Sequence, residues 1–494
     1  MAGRFTSRAG RNPFLLILLG LAAVRGAVLI FLIPPFQVPD EPSHYDYALY
    51  LSKVDPAAFA GGRIRFATAS LGPVITEEAR ALLDVTTFKA VREAGRTGPA
   101  PHRFRWRESL EKAAAYRELD TPETLGRVTE AGSSLNYPPL YYGFLSVFLR
   151  AASALGLNIL AKLILARFLT FGLFLLSIVF ADKALAGLGL RGFAALPALT
   201  IFALQPQLAM VSVSIQPDVL ALLLITVCFF LALELDRNFR LRKFYLFHVA
   251  AGLLLLTKIH LFLPVYVPLA ALMAIRLVRK KAVPSHWGRH AAGGALLLFV
   301  LGGWWYVRSL FLYGNLTGYI GHDPVLGTFA SHLKDWLFVY LPRVFRQFWG
   351  RWGWFDYAYP DWVYGFFLAL SIFPAYFWGR RVLGLRKHPE TGSAGEGPSA
   401  GFSLLAVSFA VFAVEMSAIA VILSPQAHGQ GRHWLPFLLP IAVYLGGFAM
   451  EDGVPGPGAR RRTRTIALGL LAVMIILDAA MVVLTWRRYW GSGF

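Results

Sequence analysis

Five short constellations in this chain carry the residue types that acid–base or anion chemistry requires. The first is Val38-Pro39-Asp40-Glu41-Pro42-Ser43-His44-Tyr45. Two adjacent carboxylates are fixed between prolines, which stiffen the backbone. His44 follows Glu41 at i, i+3, a spacing that shares one helix face. Carboxylates so placed can take the proton of a hydroxyl or hold a cation. The same residues also read as a solvated turn in which Asp40 caps the next helix. The second constellation is Asn136-Tyr137-Pro138-Pro139-Leu140-Tyr141-Tyr142, whose tyrosines fit an interfacial aromatic belt.

The third is Gln216-Pro217-Asp218, between two apolar runs. An ionisable residue at membrane depth is costly and points to function, although Asp before an apolar run is also a helix start signal. The fourth is Thr257-Lys258-Ile259-His260. Its lysine can hold a phosphate as a point charge or snorkel to the headgroups. The fifth is Gln426-Ala427-His428-Gly429-Gln430-Gly431-Arg432-His433-Trp434. An arginine opened by two glycines suits bidentate recognition of phosphate or carboxylate, with the backbone open to a ligand; the alternative is a flexible turn with an interfacial arginine. Arg25 and Arg167 lie inside apolar runs and need partners, which reads as structural. The stretch 347–354 either lines an outer cavity or sits among headgroups.

The elements that must position these residues are membrane helices. The chain has 494 residues, 56% hydrophobic and 15% charged, where a soluble chain carries about a quarter charged. Apolar segments fall at about 14–33, 137–157, 159–182, 192–212, 217–235, 244–257, 259–277, 291–311, 362–379, 402–423, 434–449 and 465–486. Runs of this length read as spanning helices, and no alternation of barrel strands is present. The fold class is therefore all-α, a polytopic transmembrane bundle of about 11–13 spans. The first run, 1–33 with its basic start, is followed by Pro34-Pro35 and no small-residue cleavage site, so it reads as a retained span. The domain reading continues with an outer-face loop 34–136, transmembrane helices 137–311, an outer aromatic and basic loop 312–361, and C-terminal helices 362–494 with linkers near 380–401 and 451–464. The stretch Phe104 to Leu119 is amphipathic and reads as a helix on the membrane face.

The net charge is +20. The excess sits in four clusters: Arg237 to Lys243, Arg276 to Arg289, Arg380 to Lys387, and Arg460 to Arg464. Basic residues in short loops between spans anchor the cytoplasmic side, which excludes nucleic-acid binding as their purpose. That assignment leaves an outward face carrying all five constellations. It also requires that 137–157 not cross fully, leaving eleven spans, with Arg487 and Arg488 outside. The single cysteine, Cys228, lies in an apolar run and reads as a core residue; it permits no disulfide and no cysteine metal site.

An Asp-Glu pair just after the first span resembles the GT-C superfamily of membrane glycosyltransferases, which includes the protein O-mannosyltransferases and the aminoarabinose transferase of lipid A. The nearest resemblance is to a family of uncharacterised polytopic bacterial and archaeal membrane proteins placed close to that superfamily. Its segments match Val38 to Pro42, Tyr137 to Tyr141, Asp218, Lys258, Phe348 to Trp354, and Gly429 to Arg432, in order along nearly the whole chain. His433 stands where that family usually has tyrosine.

The resemblance implies a cell-envelope transferase of polysaccharide biosynthesis. It would move a sugar from a polyprenyl-phosphate donor to a hydroxyl on a lipid, glycan or protein at the outer membrane face. Asp40 would be the base, with Glu41 assisting. His44, Tyr45, Tyr137, Asp218, Lys258, His260, Gln430, Arg432 and His433 would bind substrate, Lys258 and Arg432 holding the phosphate. No cofactor is required, and a divalent metal stays open. No Gly-rich pyrophosphate loop is visible, which fits a lipid-linked donor. The rival readings are a transporter or flippase of lipid-linked saccharide, which usually shows repeated halves that are missing here, and a non-catalytic subunit of a surface-glycan assembly.

Overall fold

The computed structural model describes residues 12–62, 65–66, 75–85, 106–116, 119–121, 123, 125, 127, 130–131, 135–279, 285–317, 329–382, 399–423, 430–447 and 457–490. Helix α1 (Pro13–Leu32) starts on Asn12, whose side chain accepts from the Phe14 amide at 3.2 Å. It stops before Pro34-Pro35, because the residue preceding a proline is pushed to extended backbone. Phe36 (φ 66°) and Asp40 (φ 65°) then adopt the left-handed conformation. Those two reversals turn the chain into α2 (Glu41–Lys53), followed by α3 (Pro56–Gly61), α4 (Glu77–Val85), α5 (Trp106–Ala113) and α6 (Leu140–Ala154). A two-residue parallel pair joins Arg65–Phe66 to Glu130–Ala131. The amphipathic stretch expected over 104–119 forms α5 within it.

The remaining helices are α7 (Ile159–Gly187), α8 (Leu196–Ala203), α9 (Pro206–Ser212), α10 (Pro217–Arg237), α11 (Leu241–Leu255), α12 (Ile259–Arg279), α13 (Trp287–Leu298), α14 (Trp304–Tyr313), α15 (Phe329–Asp335), α16 (Leu341–Gly350), α17 (Asp361–Val382), α18 (Ser399–Leu423), α19 (Leu438–Leu445) and α20 (Pro457–Trp490). A π turn joins α13 to α14, and a 3-10 turn over Gly431–Phe437 leads into α19. The architecture is all-α and polytopic. Among the described residues seven helices are individually long and apolar enough to cross a membrane. They are α1, α7, α10, α12, α13 with α14, α18 and α20.

Contacts at the helix ends sort the bundle into two poles. At one pole Asn12 bonds Asp182 at 2.7 Å, Phe14 packs on Phe193, Arg464 stacks over Phe193, Arg237 reaches the Ala186 carbonyl, and Trp287 packs on Phe239. Elements flanking all four basic clusters meet here, α17 and α18 being joined by Trp378 against Phe402. At the other pole stand Asp40, Gln216, Lys258 and Arg432, together with Arg488 on Asp356 and Trp490 on the Leu32 carbonyl. Among the described residues the chain passes between the poles eleven times: α1, α7, α8 with α9, α10, α11, α12, α13 with α14, α17, α18, the 3-10 turn with α19, and α20.

Segment 137–157 is not among these passages. Its helix α6 has 15 residues, about 22 Å of helix against about 30 Å of hydrocarbon. Arg150 near its end donates to the carbonyls of Leu51, Ser52 and Val54 at the end of α2. Both helices therefore begin at the site pole and lie together. Val147 and Phe148 remain exposed along α6, and Leu155 at its C-cap, as on a helix lying in the membrane interface.

Helix α10 is the axis of the bundle: 83% of its most apolar stretch is buried, against 22–44% in the other six candidate spans. Buried charges are paired. Arg25 meets Asp478 at 2.8 Å and the Ala203 carbonyl at 3.1 Å. In the cap formed by α3, α4 and α5 at the site pole, Glu78 binds Lys162 at 2.7 Å and Lys53 at 2.8 Å, and Asp46 accepts from the Ile75 and Thr76 amides and the Thr76 hydroxyl. Burial pushes the Asp46 carboxyl up to about 6 against those three donors. Through these groups the cap is tied to α2 and α7 as part of the bundle.

Candidate functional site

Asp40 opens the site. Its left-handed backbone sends its carboxylate away from the path taken by Glu41, the next residue. Asp and Asn tolerate this conformation better than other side chains. The Asp40 side chain is 43% exposed and is clamped by Arg432, itself 4% exposed. The Arg432 Nη1 donates to the Pro39 carbonyl at 2.8 Å and to Gln216 Oε1 at 3.2 Å. Gln216 in turn donates to the same Pro39 carbonyl at 2.6 Å. The arginine thus joins the 38–40 turn, the start of α10 and the 3-10 turn, which are 177 to 393 residues apart in sequence. Among the described residues the buried Arg432 Nε has no hydrogen-bond partner, and neither has Gln430 Oε1.

A second ion pair stands beside the first. Lys258 Nζ meets Asp218 Oδ1 at 2.7 Å, with side-chain exposures of 11% and 5%. Asp218 lies in the first turn of α10 and Lys258 just ahead of α12. Asp40, Asp218, Lys258 and Arg432 all act electrostatically on His44, which places the two pairs in one cluster. His433 feels Arg432, Lys258, Asp218 and His260. His44 Nδ1 bonds the Tyr142 hydroxyl at 2.8 Å, and the ring of Tyr137 lies 5.9 Å away. Tyr137 is held through its carbonyl by the Tyr47 hydroxyl at 3.1 Å and is 40% exposed, so it marks the solvent-facing side of the cluster, its mouth.

The charges set the protonation states. Burial raises Asp40, but Arg432 first and then His44 and His433 outweigh it, so the carboxyl lies below its ordinary value. Burial, with the positive charges of Arg432 and Lys258, drives His44 down to about 3 against the pull of Asp40 and Asp218. His44 is therefore neutral at physiological pH and Asp40 is ionised. Among the described residues no three His, Cys, Asp or Glu side chains come together as a metal ion would need.

Two of the expected site residues lie elsewhere. Glu41 is fully buried, and both of its oxygens are taken. Oε2 accepts from the Phe36 amide at 2.9 Å and Arg167 Nη2 at 2.7 Å; Oε1 accepts from Arg167 Nε at 2.8 Å and the Ile215 amide at 3.3 Å. Arg167 also binds the carbonyls of Ile30, Ile33 and Pro34. With four donors on it, Glu41 has no lone pair free for an incoming hydroxyl, and the pair braces the end of α1. The expectation that Glu41 assists the base is corrected accordingly. Tyr45 is fully buried, bonded to the Ile159 carbonyl at 3.3 Å and packed near Phe36, so it braces the start of α7 rather than joining the cluster.

Gly431 also has a different purpose from the one read in the sequence. A carbon in the Cβ position would lie 2.3 Å from the Phe348 nitrogen. Its amide donates to Gln347 Oε1 at 2.9 Å. The missing side chain lets α16 approach, which sets Arg432 at the correct height. Gly429 and 424–428 lie outside the described residues. Sequence reasoning also missed Gln216 as a site residue. Its signal is an amide at the end of an apolar run, a group that burial obliges to find partners.

The fold and this cluster define a class: an all-α polytopic membrane protein with a carboxylate–cation site at one pole of the bundle. The chain belongs to a family of predicted membrane proteins, DUF2142, whose family model matches residues 24–445. That span contains every residue of the cluster. No curated protein matches the chain.

Proposed function

We propose that this protein is a membrane glycosyltransferase that moves a sugar from a polyprenyl-phosphate donor to a hydroxyl acceptor, with the site pole on the outer face. The observation that supports this reading best is Asp40: a partly exposed carboxylate with fixed backbone, beside two largely shielded cations, Arg432 in the 3-10 turn and Lys258 just ahead of α12. The helices that flank the four basic clusters meet at the opposite pole, which fits a cytoplasmic location for those clusters and orients the site outward. The donor phosphate would lie against Arg432 and Lys258, and its isoprenoid chain would remain in the bilayer. Asp40 takes the proton of the acceptor hydroxyl. The acceptor oxygen forms a bond to the anomeric carbon while the bond from that carbon to the phosphate oxygen breaks. The electron pair leaves with polyprenyl phosphate, whose charge the two cations stabilise. Tyr137 at the mouth offers a ring for a sugar or acceptor to stack on.

A second reading, a flippase of lipid-linked saccharide, is favoured by one feature. The chain breaks between α8 and α9 and again before α10, at the level of the site, as discontinuous helices do in transporters. The test is transfer of a labelled sugar from a polyprenyl-phosphate donor by protein in liposomes, with donor translocation followed in parallel. Asp40→Asn keeps the shape and the left-handed backbone. Loss of transfer by about 10²–10⁴-fold supports the enzyme. Unchanged transfer removes Asp40 as the base, and translocation without any transfer in the wild type favours the flippase.

A further inference from the structure

Asp40 and Arg432 form an ion pair at the site, and that pairing conflicts with the work the donor reading gives them. A carboxylate held by a guanidinium is a weak base, and a guanidinium held by a carboxylate has less to offer a phosphate. The cluster contains two cations, Arg432 and Lys258, and two carboxylates, Asp40 and Asp218, so its charged side chains sum to zero. An incoming anion meets no surplus positive charge unless a pair opens.

The two pairs are unequal. Asp218 is 5% exposed and lies in the first turn of a buried helix, held by Lys258. Asp40 is 43% exposed and can swing toward the mouth without leaving water. Arg432 would stay in place if it did, because Nη1 remains fixed by the Pro39 carbonyl and Gln216 Oε1. Its Nε is already a buried donor with no partner among the described residues. Nε and the vacated Nη2 form the edge of a guanidinium that phosphate oxygens engage bidentately.

We propose that Arg432 is a shared cation that the donor phosphodiester takes from Asp40, so that donor binding itself frees the base. This inference rests on the donor reading above and goes beyond it. It makes Asp40 a competitor of the phosphate in the empty site and a base only in the loaded one. Once released, the carboxylate faces His44 from α2 and His433 from the 3-10 turn, with Lys258 held by Asp218 beyond them, and a new anion alongside. Loss of its cation and gain of a like charge both favour its protonated form. Donor binding therefore carries proton uptake in mildly acidic buffer, and near neutral pH it leaves a carboxylate better matched to a hydroxyl proton.

The test is calorimetric binding of a short-chain isoprenyl phosphodiester to full-length protein in nanodiscs, with no acceptor present. A diester keeps one charge between pH 5 and 8, so any pH dependence belongs to the protein. The wild type should bind about tenfold more tightly at pH 5 than at pH 7.5, and heats in buffers of different ionisation enthalpy should show net proton uptake. Asp40→Asn should bind about tenfold more tightly than wild type at pH 7.5, with no proton uptake, while transferring no sugar. Asp40→Gly, which also fits a φ of 65°, should bind likewise and guards against a fold effect of the amide. Equal affinity in wild type and both variants with no proton uptake overturns the exchange and leaves the donor reading standing. No binding in any of the three overturns both.

Discussion

Arg167 grips Glu41 through both carboxylate oxygens, at 2.8 and 2.7 Å, inside the bundle, and neither side chain is exposed. The pair bonds the end of α1, the Phe36 amide and the Ile215 amide into one knot. Removing one partner leaves a buried charge without compensation, which costs about 3–5 kcal/mol. Glu41→Gln and Arg167→Met should each lower the midpoint of thermal unfolding in detergent and the yield of monodisperse protein. Asp40→Asn, one residue away, should cost clearly less, because Asp40 is 43% exposed and Arg432 keeps the Pro39 carbonyl and Gln216. A Glu41→Gln protein as stable as wild type but inactive would return Glu41 to the chemistry.

The polarity of the bundle gives a second expectation. In a Cys228→Ser background, Val283→Cys and Ser393→Cys should react with a membrane-impermeant maleimide only after the membrane is opened. Asp55→Cys, on the α3 cap, should react in intact cells. The basis is the meeting, at the pole opposite Asp40, of the helices that flank all four basic clusters, together with the charge bias of cytoplasmic loops. Outside labelling at 283 or 393 would invert the orientation.

The pH dependence of transfer follows from which groups titrate. In the free protein Asp40 lies below its ordinary carboxylate value because Arg432, His44 and His433 outweigh its burial, and His44 lies at about 3. A base must be deprotonated, so the acid limb of kcat/KM, which reports the free enzyme, should fall below about pH 5, with a level profile from there to pH 8. Arg432→Gln removes the largest charge holding Asp40 down and leaves burial to raise it. In that variant the limb should move upward by more than one pH unit, beyond the loss in overall rate. A wild-type limb near pH 6.5 would point to a histidine as the titrating base.

Much of this arrangement was legible in the sequence, because the strongest signals there are physical ones. Charged residues at the ends of apolar runs are expensive, so Asp218, Lys258 and Arg432 had to be functional or paired, and they prove to be neighbours. The loop charge bias put them at one pole before any helix was placed. Asp40 and Glu41 could not be told apart, since adjacent carboxylates between prolines look alike until the backbone sign at Asp40 separates them. Tyr45 and His44 were divided by the same turn. Gln216 carried no charge to betray it, and Gly431 gave no hint that its neighbour was α16 rather than a ligand. Span lengths failed where the chain breaks at Gln205-Pro206 and where α6 lies along the surface, because hydropathy reports apolar content and is blind to helix direction.

The Lys258–Asp218 pair separates folding from function by a double-mutant cycle. Its 2.7 Å contact is almost closed to solvent. Lys258→Met alone leaves Asp218 as an uncompensated carboxylate in the first turn of α10, the most buried span, and should destabilise the protein strongly. Asp218→Asn alone leaves an unpaired ammonium that can still reach a phosphate or the headgroups, and should cost less. With both changed the buried charges are gone, and much of the lost stability should return, because replacing a buried pair by neutral groups is often close to neutral. Transfer should not return with it, since the second cation that steadies the departing phosphate is missing; a loss of roughly 10²–10³-fold in kcat/KM is the expected scale for removing one such group. Stability by thermal unfolding and transfer by labelled sugar must be read on the same preparations. A double variant that regains both would make the pair a structural strut and leave Arg432 alone with the phosphate. A double variant that regains neither would mean that the ion pair itself fixes the start of α10, with Gln216 and the Arg432 contact depending on it.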